Sequence, residues 1–284
     1  MNERIYMGIV KNLFGWLFDS KAPNVSTLWR SEWSDFLNDN VVFYRNLPEK
    51  DKDEFHRRVL LFWQTTAIEA GPMEVTDEDR LLVAASAIIP VWSFPNWYYF
   101  NLKSVFLMRQ AFNADLEFNQ PDSRITGMVG VGVLSGKLVL SKPHLHLGFV
   151  NSQDKHNVGI HEFVHLIDMA DGDCDGFPER LKEFSHSIPW FELVRKKVEE
   201  IEANQSNIRA YGATNRAEFF AVASEYFFER PDLLFKKHPE LFDALQMIYQ
   251  QDTRAIAEDL RPKRNAPCLC GSGKKYKRCC MPAS

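Results

Sequence analysis

The chain has no uninterrupted apolar run long enough to cross a bilayer. A spanning helix needs about 20 mostly apolar residues, and the longest candidates, Leu81 to Phe94 and Met128 to Leu140, are broken by Ser, Pro, Lys or Gly. Cysteine is scarce through most of the length: only Cys174 precedes residue 268, so the bulk of the chain is not a disulfide scaffold. Internal repeats and low-complexity runs are also missing, which excludes solenoid and fibrous architectures. The N-terminal apolar stretch is split by Lys11 and Asn12, and no small-residue cleavage site follows. Cytoplasmic residence is the expectation.

What is present is ordinary for a soluble globular protein: 284 residues, 45% hydrophobic and 25% charged. That length suggests one sizeable core with an appendage. The net charge of -4 conceals an uneven distribution. Residues 261 to 284 hold seven Lys/Arg and no Asp/Glu, leaving 27 basic against 38 acidic residues, a net of -11, in residues 1 to 260. Cys268, Cys270, Cys279 and Cys280 fall in the same basic tail. Clustered cysteines in a cytosolic chain argue for metal before disulfide.

Ile5, Ile9, Leu13 and Trp16 have helical spacing and suit an amphipathic helix docked on the body. From Pro48 to Glu69, Phe55, Val59, Phe62 and Trp63 predict a helix with one buried face. Thr76, followed by Asp77, Glu78 and Asp79, predicts an N-cap with an acidic first turn, and Pro90 ends or kinks that helix. Val129 to Val133 and Leu138 to Leu140, separated by Ser135-Gly136, read as a hairpin. A loop, in which His144, His146 and His156 would lie, follows it. Helical patterns return from Pro189 to Ala203 and from Asn215 to Glu229, where Pro231 stops them. This order indicates a mainly helical α+β fold with a small sheet or hairpin, not a doubly wound sheet.

The most informative stretch is His161-Glu162-Phe163-Val164-His165, set in an apolar helical pattern behind a strand-like segment. Residues four apart on a helix share a face, so both imidazoles can meet one zinc ion. Glu162 lies about 100° around the axis, where it can take a proton from water without ligating the metal. A catalytic zinc needs a third protein ligand, with one position left open. Asp171, Glu218 and Glu225 compete for that role. The two glutamates are nearly two turns apart and share a face; one could ligate while the other orients a ligand histidine. Alternatively, Glu218 could serve a capping box with Asn215, and Glu225 could be solvated. Asp171, Asp173, Asp175 and Gly176 imitate a calcium loop, but Lys182 stands where a bidentate Glu is required.

These residues carry a resemblance. Val158 to Gly176 and Tyr211 to Arg230 resemble the Mlc titration factor A family of bacterial zinc metallopeptidases, with Val75 to Pro90 fitting as well. That family is similar in turn to the catalytic domain of anthrax lethal factor, whose Tyr-Gly-x-Thr-Asn-x-x-Glu-Phe-Phe pattern recurs from Tyr211 to Phe220. The likeness spans roughly residues 35 to 255. It implies a zincin-like, gluzincin-like peptidase, aminopeptidase-like and linked to transcriptional regulation. It further implies His161, His165 and Glu218 as zinc ligands, Glu162 as general base and Tyr211 as oxyanion donor; with Glu218 ligating, Glu225 is then left to orient a ligand histidine from behind. A peptide or protein substrate would align along the hairpin edge. The alternative it implies is a non-catalytic protein that titrates a transcriptional repressor.

Pro267 to Cys280 places two pairs of thiols around a Gly-rich turn, a set able to close a structural zinc site. It resembles the SEC-C motif, which implies a protein-binding zinc knuckle, and its basic residues would also suit nucleic acid or a ribosome partner. The organisation expected is a metallopeptidase-like domain over residues 1 to 260, a linker over 261 to 266 and a zinc knuckle over 267 to 284.

Overall fold

The computed structural model describes residues 28–130, 132–150, 154–178 and 190–258, with Lys274, Lys275 and Arg278. The N-terminal pattern from Ile5 to Trp16, Lys182 and all four tail cysteines lie outside the described residues.

Helices α1 (Ser31–Asn40), α2 (Val42–Asn46) and α3 (Glu49–Thr65) open the body. Phe55, Val59 and Phe62 of α3 face the core, as their spacing predicts. That helix is shorter than expected. The Thr65 hydroxyl folds back onto the carbonyls of Leu61 and Phe62, Thr66 is extended, and Ala67–Ala70 becomes strand β1 with Ile68 buried. Two adjacent β-branched threonines disfavour helix and suit a strand entry.

Helix α4 (Asp77–Ile88) begins where predicted. Thr76 Oγ1 accepts from the Asp79 amide, and Asp79 Oδ2 accepts from the Thr76 amide, forming a capping box. Pro90 lies in a 3-10 turn, Ile89–Val91, that ends the helix.

Strands β2 (Ser104–Met108), β3 (Gly127–Val129) and β4 (Lys137–Ser141) complete a mixed sheet of order β1-β2-β4-β3. The β1/β2 and β2/β4 pairs are parallel; β3 is antiparallel to β4, with Met128 opposite Val139. The expected hairpin therefore exists as one edge of a larger sheet. Its first arm is earlier than predicted, because the chain leaves the strand after Val129 and turns through a 3-10 helix, Gly132–Leu134.

A second correction follows β4. Lys142–Val150 is helix α5, so His144 and His146 are helical, and the His161 motif is preceded by a helix and a loop instead of a strand. Pro143 sits in the first turn of α5, where its missing N–H is no loss. His156 is in a loop, as expected.

Helix α6 (Val158–Asp168) is buried along its whole length. Gly159 allows this, since a Cβ there would collide with the Ser86 side chain of α4. The chain continues as α7 (Trp190–Glu202), α8 (Arg216–Glu229), α9 (Pro231–Lys237), α10 (Pro239–Tyr249) and α11 (Thr253–Glu258). One apolar core joins α4, α6, α8 and α10 to the inner sheet face. No helix among the described residues is long and apolar enough to cross a membrane.

Asp79 is the buried polar tie between α4 and α5. Lys142 Nζ and His146 Nε2 each lie 2.7 Å from its carboxylate, which is 0% exposed. Burial alone would raise this acid, but hydrogen bonds from His146, Lys142 and Thr76 hold it well below the usual carboxylate range. A depressed folded-state value stabilises fully above the unfolded pKa of about 3.9 and less as pH falls through and below it. Asp79→Asn should cost on the order of 3 kcal/mol at neutral pH and flatten the acid limb of stability. Denaturant unfolding from pH 7 to 3 checks this; an unchanged acid limb contradicts it.

Candidate metal centre

The site forms where α6 crosses α8. Asn157 caps α6, its Oδ1 accepting from the Ile160 amide at 3.0 Å, which starts the helix in the register that turns His161 and His165 toward α8. Asn215 caps α8 by accepting from the Glu218 amide at 2.9 Å. Only half of a capping box forms, because the Glu218 carboxylate turns instead to the histidines.

His161 Nε2 is 3.0 Å from Glu218 Oε2 and 3.1 Å from His165 Nε2, and His165 Nε2 is 3.6 Å from Glu218 Oε2. Donors held by zinc at about 2.0–2.1 Å with tetrahedral angles stand about 3.3–3.4 Å apart, so the three fit one ion. Proton counting supports the fit. His161 Nδ1 lies 2.8 Å from Glu225 Oε1, so both ring nitrogens face acceptors, while a neutral imidazole carries one proton. Burial opposes charge on His161, yet hydrogen bonds to Glu218 and Glu225 outweigh it and lift the imidazole to about 10. Burial would likewise raise Glu218, but His161 and His165 hold it far below its ordinary range. Each group favours positive charge at the same point, which a second proton on His161 or a metal ion would supply.

Glu225 is fully buried behind His161, not solvated. Its Oε2 accepts from the Asn157 amide at 2.6 Å, and Arg209 bonds its Oε1. Asp171 lies in the 3-10 turn Met169–Asp171, outside this cluster. Asp173 and Asp175 are exposed.

Glu162 flanks the donors and is buried, which pushes its carboxyl up against the lowering influence of His161 and His165. Strand β3 lies directly over it. A Cβ on Gly127 would stand 2.6 Å from Glu162 Cγ and Oε1 and 2.7 Å from Val158 Cγ2, so only glycine lets the strand approach so closely. Tyr211, in the 3-10 turn Ala210–Ala213, is 52% exposed, with its ring centroid 6.0 Å from that of His161. Burial and the Glu218 carboxylate push its phenol up to about 12, so it remains a donor at neutral pH.

Beyond His165, Cys174 Sγ lies 3.7 Å from His165 Nδ1, and Asp168 Oδ2 accepts from the Gly176 amide at 2.9 Å. Burial raises Asp168 to about 6, and desolvation of the sulfur together with the Asp168 carboxylate raises the Cys174 thiol to about 12, although the residue as a whole is exposed. The cleft lined by His161, Glu162, His165, Cys174, Tyr211 and Glu218 has a volume of about 560 Å³, and residues 127–129 of β3 form one wall. A second cavity of about 380 Å³ adjoins it across Val129 and Met169.

The structure thus brings His161, Glu162, His165, Tyr211, Glu218 and Glu225 together. Sequence reading overlooked Arg209, Asn157 and Gly127. An Asn immediately before an apolar helix signals a cap. Gly127 and Arg209 act through tertiary approach, which no local pattern encodes.

Residues 21–250 match the family described as glucose-regulated metallo-peptidase M90, and residues 264–282 match the SEC-C motif. The chain is 28% identical over 260 residues to an uncharacterized protein of Synechocystis sp., covering 86% of this chain and 94% of that protein. It is 32% identical over 116 residues to Mlc titration factor A of Serratia proteamaculans, covering 39% of this chain and 44% of the factor. To Mlc titration factor A of Escherichia coli O1:K1 / APEC it is 34% identical over 102 residues, covering 34% and 38%. The chain therefore aligns with less than half the length of each of these titration factors. With its family match spanning most of its length, the chain belongs to the glucose-regulated metallo-peptidase M90 family and carries a C-terminal SEC-C motif.

Proposed function

We propose that this protein is a zinc-dependent peptidase, with His161, His165 and Glu218 as ligands and Glu162 as general base. The reading is carried by the convergence of three donors 3.0 to 3.6 Å apart beside a buried carboxylate in an open cleft. When bound, zinc supplies Lewis acidity that makes water a nucleophile near neutral pH and polarises a carbonyl. Glu162 takes the proton from the attacking water and delivers it to the departing amine. Tyr211 donates its phenolic hydrogen to the developing oxyanion. Glu225 holds the Nδ1 proton of His161, and Arg209 and the Asn157 amide hold Glu225, so the Nε2 lone pair faces the metal. The free edge of β3 offers backbone groups along which an extended peptide can align.

In the tail, Cys268, Cys270, Cys279 and Cys280 would enclose a second, structural zinc. The basic surroundings of that knuckle suit a protein or ribosome partner in the cytoplasm. The name of the titration factors favours a second reading, in which this chain binds a transcriptional repressor without cleaving it.

Glu162→Gln should retain zinc and lower peptide hydrolysis by at least about 100-fold; undiminished turnover sinks the peptidase reading, and an intact repressor complex with no hydrolysis in the parent chain supports the second. Tyr211→Phe should lower kcat by about 100-fold or more with KM little changed, as steady-state kinetics on a peptide will show. Gly127→Ala should cost about 1–3 kcal/mol by overpacking and depress kcat while zinc content stays at the parent level. Full turnover by that variant contradicts the positioning of Glu162 by β3.

A further inference from the structure

We propose that Cys174 is a positioning residue for His165, its thiol linking that imidazole to the buried carboxylate of Asp168. The inference rests on the reading of His161, His165 and Glu218 as metal ligands. A neutral histidine that offers Nε2 to a metal carries its proton on Nδ1, and that proton needs an acceptor. For His161 the acceptor is a carboxylate, Glu225. For His165 the Nδ1 contact is Cys174 Sγ at 3.7 Å, within the reach of a sulfur hydrogen bond.

Asp168 supplies the other end. It is 0% exposed; its Oδ2 receives the Gly176 amide, while its Oδ1 is buried with no partner at good hydrogen-bond geometry. A buried carboxylate oxygen without a donor is costly. His165, Asp168 and Cys174 hold their polar atoms within 4.8 Å of one another. A thiol is a weak acceptor and a weak donor at once. Cys174 can therefore accept from His165 Nδ1–H and turn its S–H toward Asp168.

The loop that carries the thiol is tied down on its far side. Gly176 donates to Asp168, and its carbonyl accepts from Trp190 Nε1 at 2.7 Å. Gly172 makes the turn into the loop at φ 109°. Helix α6 thus fixes the two ends of the link and the loop fixes its middle, and the two histidines are held by unlike groups. His161 leans on an ion-paired carboxylate, whereas His165 reaches its carboxylate only through sulfur.

The test measures zinc retention against a chromophoric chelator in the full chain, comparing the parent with Cys174→Ser and Cys174→Ala. The tail cysteines are common to all three, so differences report the body site. Cys174 is exposed, and circular dichroism will verify that each variant folds. Loss of a group supporting a ligand histidine loosens metal about 10- to 100-fold, which is the shift expected for alanine. Serine, which can accept and donate in the same place, should recover most of it. Unchanged affinity in Cys174→Ala overturns the link, as does a serine variant as weak as alanine. Cobalt substitution separates support from ligation: a sulfur-to-cobalt charge-transfer band that weakens in Cys174→Ser would make Cys174 a ligand and overturn the proposal. If alanine binds zinc normally while Glu162→Gln still abolishes hydrolysis, the link fails and the peptidase reading stands.

Discussion

A single proton deficit organises the centre of this molecule. His161 presents both ring nitrogens to acceptors, Glu225 on one side and Glu218 with His165 on the other, and an imidazole can satisfy only one of them while neutral. His161, His165 and Glu225 are buried between two helices, and Glu218 is partly exposed at the cleft. There an unmatched lone pair or charge is expensive, so the junction favours positive charge, carried either by a second proton on His161 or by a bound cation. The caps of α6 and α8, the burial of Glu225 and the salt bridge from Arg209 all serve to hold that junction.

The sheet has a different task. Its parallel strands form the inner wall of the core, and the antiparallel edge strand β3 is laid over the active helix at a distance only Gly127 permits. Glu162 is thereby pressed between apolar surface and the histidines. Its carboxyl is buried, lies beside the three candidate metal donors and borders the cleft. The same strand borders the cleft and its neighbouring cavity, so the element packed on Glu162 also lines the space beside it.

Much of this was legible in the sequence because it depends on local periodicity. The four-residue spacing of His161 and His165, the seven-residue spacing of Glu218 and Glu225, and the cap at Thr76 are properties of one helix or one turn. The choice among Asp171, Glu218 and Glu225 could not be made from spacing, since it depends on the crossing of α6 and α8, which are far apart in the chain. Strands β1 and β2 were missed for the same reason: four or five residues of parallel pairing have no sequence-adjacent partner to mark them. Helix α5 occupies a stretch the sequence pattern reads as a loop; its His146 is tied by a hydrogen bond to buried Asp79, a tertiary contact that local periodicity does not show. Cys174 looked like an isolated residue, and only the return of its loop toward His165 gives it a chemical context.

On the proposed reading this molecule has two separate metal sites, one at the crossing of α6 and α8 and one in the SEC-C motif. Zinc per chain, measured by elemental analysis on the full chain and on a chain ending before residue 263, tests that account most directly. It predicts two zinc ions falling to one, with the remaining ion lost when Glu218 is replaced by Ala. A truncated chain that folds yet holds no zinc would contradict the metal centre on which the rest of the account depends.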